Sequence, residues 1–398
     1  VTLARLDVNP FDEAFLAHPY DYHNALRDAG PVVFLEPIGC YGMARHAEVQ
    51  QALTDWQTFV SGRGVGLADF SREEPFRPPS LLLETDPPVH DRTRGLMNRI
   101  TTLGALRKAA PHWQQVADDL VTNLLAKRRF DAVTDLGEAF PLAVFPDLIG
   151  LQDEGREQLI PYATAVFNAF GPRNAVFERG LVAAKLATEW VAMACKRENL
   201  KPGGWGMQVF EAADRGECTA AEAERLVRSF LSAGVDTTVN GIGNMIHAFA
   251  LHPTQWDRLR AEPQLIKKAF EETLRWDSTV QTFFRTTRRA VTVGDVAIPE
   301  GSKVLLFLAA ANRDPRRWER AEVFDISRVV SGHVGFGFGI HQCLGQMVAR
   351  QEAEVLLRAL LPRVACFRLA GTPQRRLNNT LHALASLPVE MDAHELTV

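Results

Sequence analysis

The chain has 398 residues, 46% of them hydrophobic, with a net charge of −4 from 44 basic and 48 acidic side chains. That length supplies a large core, and the balanced charge argues against a nucleic-acid partner. No apolar run approaches a membrane span, and Val1-Thr-Leu-Ala-Arg-Leu-Asp is not a signal peptide, so a soluble cytoplasmic protein is expected. The first residue is Val rather than Met, so a short leader could precede it. Two domains are conceivable by length, yet no linker, repeat or low-complexity tract divides residues 1–398, which reads as a single domain.

Residues 19–29 read as a short helix. Pro31 to Arg45 alternates like paired strands, with Gly39 near the turn. Residues 62–80 form a Gly- and Pro-rich loop containing Gly62-Arg-Gly-Val-Gly66 and Pro75-Phe-Arg-Pro-Pro-Ser80. From Asp86 to about 250 the pattern is helical, with breaks expected near 141–146, 171–173 and 199–206. Residues 219–251 give the longest helical pattern, ~45 Å if continuous. A helix follows over 264–276. Phe283 to Phe307 reads as short strands around a Gly294-Asp295 turn. Helix returns after Cys343 to about 361, and the tail reads as irregular strand. The fold class is mainly α with small β sheets and a small β-rich N-terminal region.

The most specific stretch is Phe336-Gly-Phe-Gly-Ile-His-Gln-Cys-Leu-Gly345. Gly337, Gly339 and Gly345 suit close backbone approach to something flat. A cysteine at a helix N-terminus favours the thiolate, the form a haem iron takes as axial ligand. A free Cys is usually a small buried hydrophobe, the reading given to Cys40, Cys195, Cys218 and Cys366, which have no zinc-site spacing. Gly335-x-Gly337-x-Gly339 mimics part of a nucleotide fingerprint, but no buried strand leads into it.

The spacing F-x-x-G-x-x-x-C-x-G-x-x-x-A, met by Phe336, Gly339, Cys343, Gly345 and Ala349, resembles the haem-binding loop of cytochromes P450. The resemblance spans nearly the whole chain. It implies the cytochrome P450 fold and haem b (iron protoporphyrin IX) held by Cys343 as the metal ligand. Glu272 and Arg275, by themselves an ordinary i, i+3 helix pair, would form with Arg328 the family's network supporting the cysteine loop. Ala321-Glu-Val-Phe departs from the commoner P-E-x-F form beside Arg328.

Ala233-Gly-Val-Asp-Thr-Thr238 alone reads as a kinked core helix. The resemblance makes it the oxygen-activation motif. Gly234 would open a groove for dioxygen, Thr237 would hydrogen-bond at the oxygen site, and Asp236 would relay protons. His90 and Arg94, alone a solvated i, i+4 pair, would bind haem propionates together with Arg285 and His341.

A closer resemblance is to the bacterial subfamily that oxidises para-substituted benzoates, including 4-methoxybenzoate O-demethylation. It rests on Pro75–Ser80, Val166-Phe-Asn-Ala-Phe-Gly-Pro172, Leu226-Val-Arg-Ser-Phe-Leu-Ser232 and Val280-Gln-Thr-Phe-Phe-Arg285. Carried over, Tyr162, Arg77, Ser80, Arg228 and Ser229 would surround the substrate carboxylate. Leu83, Phe167, Phe170, Ala233, Val280 and Phe283 would sandwich the ring. By themselves Arg77 reads as a solvated loop arginine, and Phe167 and Phe170 as core. On one continuous helix Ser229 and Thr237 would stand ~12 Å apart, which suits an anchored ring whose para group reaches the oxygen site.

The resemblance implies a monooxygenase fed from NAD(P)H by a separate FAD-containing ferredoxin reductase and [2Fe-2S] ferredoxin, with dioxygen as co-substrate. Arg92, Arg99 and Arg107 are candidate docking residues. Rival readings are a peroxide-driven oxygenase of the same fold and a non-catalytic haem ligand sensor or carrier.

Overall fold

A computed structural model describes residues 3–75 and 77–394; Val1, Thr2 and the Phe76 of the Pro75–Ser80 stretch lie outside the described residues. Helices predominate. One six-stranded sheet runs in the order Ala4–Leu6, Val33–Leu35, Cys40–Met43, Lys303–Phe307, Thr282–Thr287, Phe59–Val60. A three-stranded sheet pairs Val364–Leu369, Pro388–Ala393 and Arg129–Asp131, and two small ribbons complete the β structure.

The expected helix over 19–29 is Tyr20–Ala29, and the expected 31–45 hairpin pairs Val33↔Gly42 and Leu35↔Cys40. Gly39 closes it in the left-handed region at φ 60°, which favours glycine. The Gly294-Asp295 turn joins Val291–Val293 to Val296–Ile298 as expected.

Two expectations in the helical region fail. No break occurs at 141–146: Ala139–Ile149 is one helix with Pro146 inside it. A π-helical turn, Val133–Glu138, feeds it and shifts the register ahead of Pro141. Buried Phe140, Val144, Phe145 and Ile149 hold it against the core despite its prolines. Residues 219–251, in turn, are not one helix. Ala220–Ala233 and Asp236–Leu251 are separate, with Gly234 and Val235 between them. The longest helix is instead Leu103–Lys127, started by Thr102, whose hydroxyl accepts from the Ala105 amide.

The Ala220–Ala233 helix begins with a capping box. Thr219 Oγ1 accepts from the Glu222 amide at 3.1 Å, and Glu222 returns a carboxylate to the Thr219 amide at 2.9 Å. Glu272, Arg275 and Arg328 form a buried network: Arg275 meets both Glu272 oxygens at 2.7 and 2.8 Å, and Arg328 reaches Oε1 at 3.3 Å. Arg275 also donates to the carbonyls of Asn312 and Ala321, pinning the segment that leads into the cysteine loop. The ordinary surface-pair reading therefore does not apply.

Candidate functional site

One large cleft, with about 1710 Å³ of empty space including its mouth, runs from the cysteine loop to the Pro75–Ser80 loop. Its walls come from the two helices flanking Gly234, from residues 166–170, from the strand carrying Phe283 and Arg285, and from Gly335–Gly345. Phe283 and Arg285 share one face of that strand because they are two residues apart.

At the floor, the Cys343 sulphur opens into the cleft while being enclosed within the molecule. The Cys343 amide donates to Phe336 O at 2.9 Å, closing the loop. Enclosure pushes the thiol upward; the amides of Gly345 and Gln346 and the charges of Arg94 and Arg350 oppose this. Gly337 and Gly339 both have φ 70°, and a Cβ at Gly339 would lie 2.5 Å from Leu53 O. Gly345 differs: its φ is −82°, so no left-handed backbone explains it.

The predicted propionate group assembles beside this floor. The His90 and His341 rings meet edge-on at 4.5 Å. His341 Nδ1 lies 3.0 Å from Leu82 O, and Arg94 donates to Gln342 O at 2.7 Å. Arg285 is buried, and burial pushes its pKa down to about 10, against the attraction of Asp86. His90 Nε2 and His341 Nε2 are buried without hydrogen-bond partners, His341 Nε2 standing 3.9 Å from Asp86 Oδ1. Buried polar groups of this kind need partners. Two orphaned imidazole nitrogens and two confined guanidinium groups beside an accessible sulphur fit a flat prosthetic group with carboxylate arms and a thiolate-binding metal. The residues present fit haem.

Thr237 and Thr238 line the cleft above Cys343, and Thr237 Oγ1 donates to Ala233 O at 2.9 Å across the helix break. Asp236 is absent from the wall. It is fully buried, and its carboxylate accepts from Arg376 at 2.6 Å, Asn240 at 2.9 Å and Thr164 at 2.9 Å. Gly234 does line the cleft, but a Cβ there would fall 2.2 Å from the Phe145 ring. The glycine thus makes room for the Phe145 ring beside the cleft.

The residues expected to sandwich a ring come together. Leu83, Phe167, Phe170, Ala233, Val280 and Phe283 all line the cleft. Phe170 meets Phe167 edge-on at 5.7 Å and Phe283 at 5.5 Å. Gly66 packs so closely that its Cβ would lie 2.7 Å from Phe170 Cα. Lys303 fixes that loop by donating to the carbonyls of Arg63, Gly64 and Gly66.

The predicted carboxylate anchor assembles only in part. Arg77, Ser80 and Ser229 line the cleft, whereas Tyr162 and Arg228 stand behind it. Burial raises the Tyr162 phenol, with Arg228 and Arg77 opposing. Arg77 is not the solvated loop arginine of the simpler reading, since its NH1 donates to buried Glu84 at 2.9 Å. Sequence reading missed Glu84 and Arg225, which donates to Pro79 O, because a charge in a polar loop or helix carries no distinguishing pattern. It also missed Phe145, Trp205 and Phe230, which look like core.

Two of the candidate docking arginines are tied down: Arg92 pairs with Glu222 and Arg99 with Glu217, while Arg107 is exposed. Cys40, Cys195 and Cys218 are buried as expected, and Cys366 only partly so. Among the described residues no helix is long and apolar enough to cross a membrane.

Comparison with known proteins agrees with this geometry. The family model described as Cytochrome P450 matches residues 206–391. The chain is 50% identical over 387 residues to "Cytochrome p450 CYP199A2" of Rhodopseudomonas palustris, covering 97% of this chain and 94% of that one. It is 32% identical to "Cytochrome P450 107B1" of Saccharopolyspora erythraea, covering 97% and 98%. Among solved structures, "cytochrome P450 CREJ" superposes with a TM-score of 0.86 at 28% identity, covering 97% of this chain and 99% of that one. The same protein in complex with (4-ethylphenyl) dihydrogen phosphate gives 0.84 at 27% identity, covering 96% and 99%.

Proposed function

This chain belongs to the cytochrome P450 family, with that family's fold and haem b, and from that premise we propose that its monooxygenase activity is directed at para-substituted benzoates. The reaction proposed is O-demethylation of 4-methoxybenzoate to 4-hydroxybenzoate and formaldehyde. One observation carries the reading: Leu83, Phe167, Phe170, Val280 and Phe283 wall the cleft, and Arg77, Ser80 and Ser229 add a polar cluster to it besides Thr237, Thr238 and the Arg94, Arg285 and His341 side chains. A flat acid needs that arrangement, apolar faces plus donors at one pole. A structural neighbour holding a para-substituted aryl phosphate supports it by likeness.

When bound, haem would supply the iron chemistry that activates dioxygen, with one atom going to the methoxy C–H bond and the other to water. Two electrons come from NAD(P)H through a FAD-containing reductase and a [2Fe-2S] ferredoxin. The chain's own residues do the rest. Cys343 would give its sulphur to the metal, and its loop is held by its own amide on Phe336 O. His90, Arg94, Arg285 and His341 would hold the carboxylate arms. Phe167, Phe170, Val280 and Phe283 exclude water and fix the ring plane. The Thr237 hydroxyl, which rests on Ala233 O, is the cleft-facing group placed to hold a proton for the oxygen-binding position, while Asp236, on the side of the helix away from the cleft, is held by Arg376 and Thr164. Productive orientation of the methyl group comes from the anchor at the opposite end.

The test is turnover with reductase, ferredoxin and NADH over a panel of substituted benzoates with product identification. 4-Methoxybenzoate should give equimolar 4-hydroxybenzoate and formaldehyde, and 3-methoxybenzoate should bind but yield little product. Binding of 4-methoxybenzoate without oxidation would overturn the proposal, as would product formation with hydrogen peroxide alone at the full rate.

A further inference from the structure

We propose that Glu84 is a specificity-determining residue of this site: a resident carboxylate that fixes Arg77 and the Ser80 turn, and with which an acid ligand must share the Arg77 guanidinium. The proposal rests on the aromatic-acid reading above.

Glu84 is 4% exposed. Its Oε2 accepts from Arg77 NH1 at 2.9 Å and from the Ser80 amide at 2.7 Å. The Glu84 amide donates back to Ser80 O at 3.1 Å, so the 80–84 turn is closed from both ends. Arg77 NH1 also donates to Pro78 O at 3.1 Å, and the guanidinium lies 5.8 Å from the Phe170 ring centre. Arg77 NH1 is therefore committed. Its Nε and NH2 make no hydrogen bond among the described residues, and they are the donors left for a ligand.

The two serines divide the remaining work unequally. Ser80 Oγ accepts from the amides of Leu82 and Leu83 at 3.2 and 3.1 Å. Its own proton is thus free to be donated, with Ser229 Oγ 3.5 Å away. Ser229 spends its proton on Arg225 O at 3.1 Å. An incoming carboxylate finds one ready hydroxyl donor, Ser80, and one edge of Arg77, while Glu84 holds the other edge.

Two carboxylates on one guanidinium repel each other, and in an enclosed site the repulsion is poorly screened. Arg225 and Arg228 offset it. Arg225 donates only to the Pro79 carbonyl, and Arg228 makes no hydrogen bond or ion pair among the described residues. A neutral amide of the same shape keeps one acceptor oxygen for these donors and is free of the repulsion. Glu84 therefore lowers affinity for acids specifically while giving Arg77 its orientation.

The experiment is a spin-state titration of the haem-loaded protein with 4-methoxybenzoate and with its neutral counterpart 4-methoxybenzamide. Glu84→Gln keeps an oxygen that can accept from Arg77 and Ser80 but removes the charge. It should tighten the acid at least ~5-fold and leave the amide within about twofold. Weaker acid binding, or equal shifts for both ligands, would show a purely structural role and overturn the proposal. If Glu84→Gln does not fold, Arg77→Gln is compared with Arg77→Gln/Glu84→Gln. The double change should bind the acid at least ~5-fold more tightly than the single one, and equal affinities overturn the proposal. The parent protein alone decides the underlying reading: equal affinity for acid and amide would remove the carboxylate anchor itself.

Discussion

The Asp236 carboxylate is held by a charged donor and two neutral ones while being fully buried, and Arg376 supplies the charge. Arg376→Gln leaves that carboxylate with only uncharged partners. The loss should be about 1–3 kcal/mol, read as a lowered urea midpoint with unchanged slope. A shift below about 0.5 kcal/mol would show that Arg376 does not stabilise Asp236. Thr237 lies one residue away on the cleft side. Thr237→Ala should bind 4-methoxybenzoate with unaltered affinity but divert NADH into hydrogen peroxide at the expense of product. Coupling at the parental level would take the proton-holding role from Thr237. At this scale the sequence was most readable where a spacing is dictated by chemistry, as in Cys343 with Phe336, Gly339 and Gly345. It was least readable where a partner comes from far along the chain. Arg376 lies 140 residues from Asp236, and no local pattern marks it.

The break at Gly234 and Val235 belongs to the scale of elements. Val235 takes φ −110° and ψ −63°, between two helices that would otherwise read as one. The Phe145 ring fills the space beside Gly234. Gly234→Ala should therefore cost about 1–3 kcal/mol through overpacking, although alanine is the better helix former by ~1 kcal/mol. Phe145→Leu in the same protein should recover part of the loss. If Gly234→Ala raised the melting temperature, propensity rather than packing would govern the break. Periodicity could not reveal it, because both segments keep the same apolar spacing across the gap. The prolines at 141 and 146 misled in the opposite direction. Their local cost is plain from sequence, but the burial that outweighs it depends on neighbours brought in by tertiary structure. Strand pairs over 31–45 and 283–307 were legible because turn residues and alternation agree there.

For the molecule as a whole, two ionic braces, one buried and one half-buried, hold the segment before the cysteine loop. One is Glu272–Arg275–Arg328, and Arg275→Ala should cost about 3–5 kcal/mol by stranding Glu272. The other is Glu271, which bonds His333 at 2.8 Å and Arg350 at 2.5 Å. Burial raises the Glu271 pKa, but the hydrogen bonds from His333 and Arg350 outweigh it and lower the value to about 2. A carboxylate depressed in the folded state adds stability above its unfolded pKa and loses it on acidification. Stability should thus fall by about 3 kcal/mol between pH ~4.5 and ~2 on account of this group. Glu271→Gln should flatten that part of the profile; an unchanged acid limb would assign it to other groups. The overall α-rich architecture was legible because helical periodicity dominates most of the chain, whereas the strand order was not, since Cys40–Met43 pairs with Lys303–Phe307 across most of the sequence.

Arg376, on the hairpin Gln374–Arg376 with Ala383–Ser386, and Asn379, which donates to Asn168 O, reach back from far along the chain to Asp236 and to the helix Leu159–Asn168. During synthesis, the ribosome must deliver a further 140 residues after Asp236 before that carboxylate meets its charged partner. Vectorial folding from the N-terminus therefore leaves that carboxylate uncompensated until late, and a nascent chain stalled short of residue 376 should stay open to proteolysis around 236.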